Sequence, residues 1–312
     1  MKRIAIGLAL GLACTVLAAP AVYQGWTYYF PLPAPPAAPA TPTTGVTLYA
    51  EDSVGDWSLL KVLGKHGDPV TMQSHLGRNF VAWAIPAGAG TGTTAPTTSG
   101  MGVTHSGTTV ANPAPATTNF MTAATRVTSL SGAVAGNEAG WRGAQLRYWR
   151  GNGAGLGGFM CTFRWCNESV PASNRGLIGM TNSTAARANQ DPTVDLNFVG
   201  ALWNAADAGI SLGGNDGTGT ATKTTTCNST DFPARTNNQC FELIVTAKQN
   251  ASQFVLVLKR LDAAVTDCTA TITASADMPA NTALLAPRVG HEISSTTTDT
   301  IALLRLYCES DY

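Results

Sequence analysis

The sequence predicts an all-β fold, a jelly-roll or lectin-like β-sandwich head preceded by a hydrophobic N-terminal segment and a proline-rich linker. In the second half of the chain, apolar and polar residues alternate with the period of two that strands require, and Gly, Asn, Asp or Pro separate the runs. No long helical period interrupts this pattern. The chain has 32 Gly, 17 Pro and only 12% charged residues, and it is rich in Thr and Ser, as exposed sheets and long loops tend to be.

Composition excludes two broad classes of protein. With 44% hydrophobic residues the chain can bury a core, so it is not disordered throughout. Its net charge is zero, and Lys and Arg are scattered along it. Because binding phosphates requires a clustered positive excess, we expect no nucleic-acid partner.

The N-terminal segment, residues 1–29, has the three sections of a secretory signal peptide. Met1-Lys2-Arg3 is followed by an uncharged apolar run to Leu17 and then by Ala19-Pro20-Ala21. Cleavage after Ala21 would fit this pattern. The alternatives are a membrane-spanning helix, for which the run before Pro20 is barely long enough, and an uncleaved plug buried in a larger particle.

A linker and the start of the head follow. Residues 30–44 include PLPAPPAAPATPTT, an extended and semi-rigid spacer, because proline fixes its own φ and restricts the preceding residue. The head is expected over residues 45–312. Apolar runs within 46–85 predict its first strands or one short helix, whereas 86–118 is a Gly/Thr/Pro/Ala region too long for an ordinary connection.

The middle of the chain, Trp141 to Cys166, predicts two strands joined by a glycine hinge at 151–158. In the second run, Phe159, Cys161, Phe163 and Trp165 would share one face of a strand and Cys166 the other. A phosphate-binding loop is excluded because no GK[ST] ending and no following helix are present. Six further strands are predicted at 195–203, 218–226, 240–248, 254–261, 267–274 and 300–308.

One group of blocks carries a resemblance to a known family. The stretch YWRGNGAGLGGFMCTFRW (148–165) resembles a signature in the C-terminal region of tailed-bacteriophage tail fibre and minor tail proteins. Further blocks follow in that family's order and cover most of the chain after about residue 75: RGLIGMT (175–181), NDGTGTATK (215–223), DFPA (231–234), FEL (241–243), MPANTALLAPR (278–288) and LYCESDY (306–312). The resemblance implies a virion structural protein.

Six of the seven cysteines lie outside the hydrophobic segment, which contains Cys14. An even number predicts three disulfides and an extracellular, oxidising location. Zinc is not expected, because paired short spacings are missing. Cys227 and Cys240 should pair, since Cys227 ends one predicted strand and Cys240 starts the next, on either side of one connecting loop. The disulfide candidates are Cys161, Cys166, Cys227, Cys240, Cys268 and Cys308.

Candidate catalytic residues do not form a motif. His66, His75, His105 and His291 are far apart and belong to no HExxH pattern, and no GxSxG elbow is present. Glu242, Glu292 and Glu309 could in principle supply a carboxylate pair for glycoside cleavage. Gly213–Gly219 lacks the acidic pattern of a calcium loop and predicts a hairpin turn. We therefore expect no enzyme, no cofactor and no metal.

The resemblance implies a fibre or spike at the virion surface, attached to other virion proteins by its N-terminal segment. We expect its head to bind a host-surface glycan or protein and to form a homotrimer, with residues 86–118 near the subunit contacts. A decoration or tail component without a receptor and a polysaccharide-cleaving enzyme are the alternatives.

The receptor site is predicted beside a turn between strands. An exposed Trp203 next to Asn204 and Asp207 would offer a sugar a stacking face and hydrogen-bond partners. The alternative is that Trp203 belongs to the core, because large aromatic side chains are mostly buried.

Overall fold

A computed structural model describes residues 39, 40, 42, 46–53, 57–64, 69–71, 80–86, 97–99, 101–153, 156–187 and 189–310. The chain divides into two compact units, Met1–Gln73 and Ser74–Tyr312. The segment predicted at 1–29 lies outside the described residues, as does nearly all of the linker at 30–44. Within the described ranges, no helix is long and apolar enough to span a bilayer.

Strands dominate the described residues. They are β1 (Val46–Ser53), β2 (Trp57–Gly64), β3 (Pro69–Thr71), β4 (Phe80–Ile85), β5 (Thr97–Ser99), β6 (Val103–Ser106), β7 (Thr109–Ala111), β8 (Val127–Leu130), β9 (Glu138–Gly143), β10 (Phe159–Ser169), β11 (Asn174–Thr181), β12 (Phe198–Trp203), β13 (Ser211–Asn215), β14 (Thr222–Thr226), β15 (Gln239–Ala247), β16 (Phe254–Arg260), β17 (Cys268–Ile272), β18 (Ala286–Ile293) and β19 (Thr300–Ser310). A short helix, α1 (Phe120–Ala123), and 3₁₀ turns at Pro192–Val194 and Ser275–Asp277 are also present.

The first unit contains a three-stranded antiparallel sheet in the order β1-β2-β3. β1 pairs with β2 along its whole length, from Val46 opposite Gly64 to Ser53 opposite Trp57. All three strands lie before Gln73, the last residue of the first unit. The predicted extent of the head, residues 45–312, stays a prediction.

The second unit is a two-sheet antiparallel β-sandwich, the fold class that the sequence predicts. Sheet A has nine strands: β17-β16-β15-β10-β19-β4-β5, with β8 also paired to β19 and β7 paired to β8. Sheet B has seven strands in the order β14-β13-β12-β11-β18-β9-β6. Their facing sides enclose one large apolar core, because alternate residues of each strand point to the same face.

Strand β10 lies near the centre of sheet A, between β15 and β19. Phe159, Cys161, Phe163 and Trp165 point into the main core, whereas Cys166 belongs to a smaller cluster on the other face. The predicted assignment of these residues to two faces is therefore confirmed.

The glycine hinge before β10 is a turn, as predicted. Gly151 has φ +94° and Gly157 has φ +73°, a region that favours glycine. A Cβ at Gly151 would lie 1.8 Å from the carbonyl oxygen of Leu156, so no other residue fits there. The run before the hinge is less regular than predicted, since β9 ends at Gly143 and Tyr148 makes only an isolated bridge to Leu285.

All six predicted cysteines form disulfides, but the predicted Cys227–Cys240 pair is wrong. The bonds are Cys161–Cys308, Cys166–Cys240 and Cys227–Cys268. Cys240 lies directly opposite Cys166 in the β10–β15 register. The chain crosses from sheet B to sheet A between β14 and β15, which separates Cys227 from Cys240 although the two are close in sequence.

The three bonds connect different parts of the sandwich. Cys161–Cys308 and Cys166–Cys240 join β10 to both of its neighbours within sheet A. Cys227 follows β14, the edge strand of sheet B, and Cys268 begins β17, the edge strand of sheet A. The third bond therefore closes one side of the sandwich covalently.

The Gly/Thr-rich region at 86–118 is more ordered than predicted where the structure describes it. β6 pairs with β9, and β7 pairs with β8, both within the chain. These residues need no neighbouring subunit to form strands, so their length no longer argues for a subunit contact.

Candidate functional site

The sequence-predicted ligand site at Trp203 does not have the expected exposed ring. Trp203 is fully buried, its indole Nε1 donates to Asn174 Oδ1 at 2.6 Å, and its ring meets His291 edge-on at 5.3 Å. It shares the core-facing side of β12 with Val199 and Ala201, because the three alternate along the strand. The prediction of a stacking face at Trp203 is wrong, and the core alternative is correct.

The two polar residues beside Trp203 lie in the turn after β12, and one of them is already engaged. Asp207 accepts a hydrogen bond from the backbone N–H of Asn204 at 2.7 Å and forms an ion pair with Lys223. The turn predicted at Gly213–Gly219 is shorter than expected, since β13 extends to Asn215. Ligand binding by Asn204 and Asp207 stays a prediction.

The three candidate glutamates are not brought together. Glu242 and Glu309 lie on sheet A, where Glu242 pairs with Arg164 and Glu309 accepts from the Tyr307 hydroxyl at 2.6 Å. Glu292 lies on β18 of sheet B. They do not form a carboxylate pair for glycoside cleavage.

Two of the four histidines lie in the described part of the chain. His291 is fully buried, and its Nδ1 lies 3.2 Å from Asp299 Oδ2. Its ring packs against Trp203 in the interior. His105 is half-buried and lines an open cleft. His66 and His75 lie outside the described residues.

The cleft, with a volume of about 410 Å³, lies at the β6–β9 edge of sheet B. Its walls are the β6–β7 turn at His105–Thr108, glycines and Asn137 from the 132–137 loop, and Ala186 with Arg187 from the loop after β11. Glu138 and Arg142 of β9 line it as well. Apart from Ala186, the lining residues carry polar side chains or none, so the cleft favours a ligand that forms hydrogen bonds.

The strands beneath the cleft carry two related five-residue motifs. β9 contains Glu-Ala-Gly-Trp-Arg (138–142), and β18 contains Arg-Val-Gly-His-Glu (288–292). They pair antiparallel, so Arg142 lies opposite Arg288, Gly140 opposite Gly290, and Glu138 opposite Glu292. Like charges directly opposite each other destabilise a sheet unless other groups compensate them.

Diagonal and loop contacts supply that compensation. Arg288 Nη1 donates to Glu138 Oε1 at 2.8 Å across the strands. Arg187, from the loop after β11, places Nη1 2.9 Å from Glu292 Oε2 and Nη2 2.7 Å from Asp195 Oδ2. Gly290 makes room for this arrangement, since a Cβ there would lie 2.7 Å from Glu138 Oε1.

The described parts of the loop between β11 and β12, residues 182–187 and 189–197, cover these charges. Its backbone carbonyls at Thr184 and Ala185 accept from Arg142 and Arg288, and the N–H of Gln190 donates to Glu292 at 3.2 Å. Asp191 caps the 3₁₀ turn that follows by accepting from the N–H of Thr193 at 2.9 Å. The loop thereby fixes the polar network over the outer face of sheet B.

Burial controls the ionisation of the network. It raises the pKa of Glu292 to about 7, although Arg187 and Arg175 oppose the shift. Burial also lowers the pKa of His105, and the nearby positive charge of Arg142 lowers it further. His105 is consequently neutral at physiological pH.

The hydrogen bonds of Ser129 determine the tautomer of His105. The Ser129 hydroxyl donates to the Ser106 carbonyl at 2.9 Å and accepts from the Gly140 N–H at 2.8 Å. Its single proton is thus used, so His105 Nε2, 2.8 Å away, must donate to it. The other ring nitrogen, Nδ1, is then an acceptor on a residue that lines the cleft.

Sequence reasoning missed most of this site. It considered His105 and Glu292 singly and did not consider Glu138, Arg142, Arg187 or Arg288. A usable signal was present, because both motifs have a charge, a central glycine and an opposite charge, with the two charges four residues apart. On a strand, that spacing places both charges on one face.

No protein-family model and no curated protein sequence matches the chain. Among solved structures, a Shewanella oneidensis MR-1 protein of unknown function is 12% identical over 77% of this chain and 90% of that chain, with a TM-score of 0.48. Alginate lyase A1-II′ of polysaccharide lyase family 7 is 10% identical over 60% and 80%, with a TM-score of 0.38. Lectin I from Ulex europaeus, in complex with the methyl glycoside of α-L-fucose, is 11% identical over 67% and 91%, with a TM-score of 0.41. These values are too low to carry an inference about ligand or activity.

Proposed function

We propose that this chain is a fibre or spike protein at the surface of a bacteriophage-type virion, and that its sandwich head binds a host-surface glycan in the cleft beside β6 and β9. The observation that carries the binding role is the cleft itself. Its volume of about 410 Å³ lies within the range of about 300–1,000 Å³ usual for ligand sites. The block resemblance supports the virion role.

The lining of the cleft favours a sugar over a protein side chain. Ser106, Thr108, Asn137 and His105 supply hydroxyl, amide and imidazole groups, and glycines let a ligand approach the backbone. A ligand with many hydroxyl groups can use such donors and acceptors. Since Glu138 is the one carboxylate among the lining residues, the proposal is binding without cleavage and without a cofactor.

The disulfides of the head agree with an extracellular location. Three disulfides are typical of secreted and extracellular proteins. In the proposal, the N-terminal segment contacts other virion proteins and the proline-rich linker separates them from the head. The head assembles as a homotrimer, which the resemblance implies.

Blocking the cleft tests the binding role. Thr108 is exposed at the cleft wall, so Thr108→Trp should fill it, and Thr224→Trp on edge strand β14 is the matched control. We expect the wild-type chain to bind members of a panel of bacterial-surface oligosaccharides, Thr108→Trp to lose that binding at an unchanged Tm, and the control to keep it. No binding by the wild type, or full binding by Thr108→Trp, would overturn the proposal.

The virion role has a separate test. Antibodies raised against the second unit should label purified particles made from the genome that encodes this chain, as seen by immunoelectron microscopy. Unlabelled particles would contradict the virion role and would not affect the proposal that the head binds a glycan.

A further inference from the structure

The ion-pair network beside the cleft is not balanced in charge. It joins four arginines, Arg142, Arg175, Arg187 and Arg288, to three carboxylates, Glu138, Asp195 and Glu292. With all seven groups ionised, four positive charges less three negative charges leaves a formal charge of +1, and any protonation of Glu292 increases it. In a chain whose net charge is zero, this excess is a local feature of the site.

The excess lies at Arg142. Arg187 and Arg288 have carboxylate oxygens within 2.7–2.9 Å, and Arg175 has one at 3.1 Å. The nearest carboxylate oxygen to Arg142, on Glu138, is 4.0 Å away. Arg142 is therefore the member of the network whose charge is least neutralised.

The hydrogen bonds of Arg142 leave one nitrogen available. Nε donates to the Thr184 carbonyl at 2.8 Å, and Nη1 donates to the Ser106 hydroxyl. Both acceptors are neutral, and Nη2 makes no hydrogen bond to any residue in the described ranges. The side chain is 16% exposed and lines the cleft, so its remaining donor is accessible to a ligand.

The other groups in the cleft suit a sugar whose anionic substituent lies at Arg142. Glu138 accepts hydrogen bonds from Arg288 at 2.8 Å and from the Arg187 N–H at 3.4 Å, and these partly neutralise its charge. The neutral His105 ring offers an acceptor for a sugar hydroxyl. The cleft thus combines one cationic donor with neutral hydrogen-bonding groups.

We infer that the cleft binds a sugar carrying an anionic substituent, a carboxylate or a phosphate, with the anion at Arg142 and the sugar hydroxyls at His105 and Asn137. This rests on the proposed glycan-binding function. A guanidinium group suits either anion, since it donates in a planar fork that matches both.

The test uses the full chain and a panel of matched oligosaccharides in carboxylated, phosphorylated and neutral forms. We expect acidic members to bind at least about tenfold more tightly than their neutral counterparts, as charged hydrogen bonds require. Their affinity should fall as salt rises, while that of neutral members stays constant. Comparing the two acidic arms identifies which anion the cleft prefers.

Variants assign the effect to Arg142. Arg142→Gln should reduce binding of acidic members roughly 10- to 100-fold, and Arg142→Lys should restore part of it because the charge returns. Arg147→Gln, at an exposed arginine outside the cleft, makes the same charge change and should have no effect. The Tm of each variant shows whether it is folded. The salt dependence of wild-type binding tests the inference even if a variant does not fold.

The outcomes separate the two proposals. If neutral and acidic members bind equally, or if a folded Arg142→Gln binds acidic members like the wild type, the anion inference is overturned while glycan binding stands. If no member of any class binds, the proposed function fails and the inference fails with it.

Discussion

The disulfide between the two sheets can be removed by replacing both of its cysteines. Cys227 and Cys268 are 41 residues apart in sequence. A cross-link closing a loop of that length lowers the entropy of the unfolded chain by about 13 cal/mol/K, or about 4 kcal/mol at 25 °C. We therefore expect Cys227→Ala/Cys268→Ala to lose about 4 kcal/mol of unfolding free energy.

Urea unfolding followed by tryptophan fluorescence measures this loss. Trp141, Trp165 and Trp203 are all buried in the second unit, so their emission reports its unfolding. The matched control is Cys227→Ala/Cys240→Ala, which breaks two bonds and leaves Cys166 and Cys268 without their partners.

Thiol counting then separates the two pairings. The Cys227→Ala/Cys268→Ala variant should show no more free thiols than the wild type, whereas the control should show two more. The reverse pattern, or a loss below about 1 kcal/mol in the first variant, would refute the reasoning.

Three further predictions concern packing, pH and assembly. Gly176→Ala should cost about 1–3 kcal/mol, because its Cβ would lie 2.0 Å from the buried Trp203 ring, whereas Gly217→Ala in an open turn should cost little; equal urea midpoints would contradict this. The pKa of Glu292 rises from 4.5 to about 7 on folding, so its contribution to stability is greatest below about pH 4.5 and is lost as the pH rises towards 7. Glu292→Gln should remove that decline between pH 5 and 8, and an unchanged pH profile would argue against it. Light scattering on residues 45–312 should give a molar mass three times that of the protomer, and a monomer at micromolar concentration would exclude the trimer.

Local patterns predicted most of the sandwich. The run predicted at 254–261 is β16, Phe254–Arg260, because continuous apolar residues bounded by polar turns mark a buried strand. The two faces of β10 followed from alternation alone. Which strands become neighbours depends on long-range topology, and the predicted Cys227–Cys240 pair was wrong for that reason.

The candidate site was harder to predict because it depends on contacts between distant segments. Glu138 contacts Arg288, which is 150 residues away in sequence. Arg187 contacts both β9 and β18 from a loop whose apolar residues show no periodic pattern. Only the paired motifs at 138–142 and 288–292 carry a local signal. The prediction that the Trp203 ring is exposed was wrong. An aromatic residue beside a polar turn fits a sugar site and a core equally well until its neighbours on the strand are considered.

The pairing of β4 with β19 has a mechanical consequence. β4 is the first strand of the second unit, and five residue pairs join it antiparallel to the C-terminal strand, from Phe80 opposite Ser310 to Ala84 opposite Leu306. A pull along β4 from the N-terminal side loads those pairs together in shear, since ladder hydrogen bonds run perpendicular to the strands. Beside them, the Cys161–Cys308 bond ties β19 to β10, so tension passes through covalent bonds into the centre of sheet A.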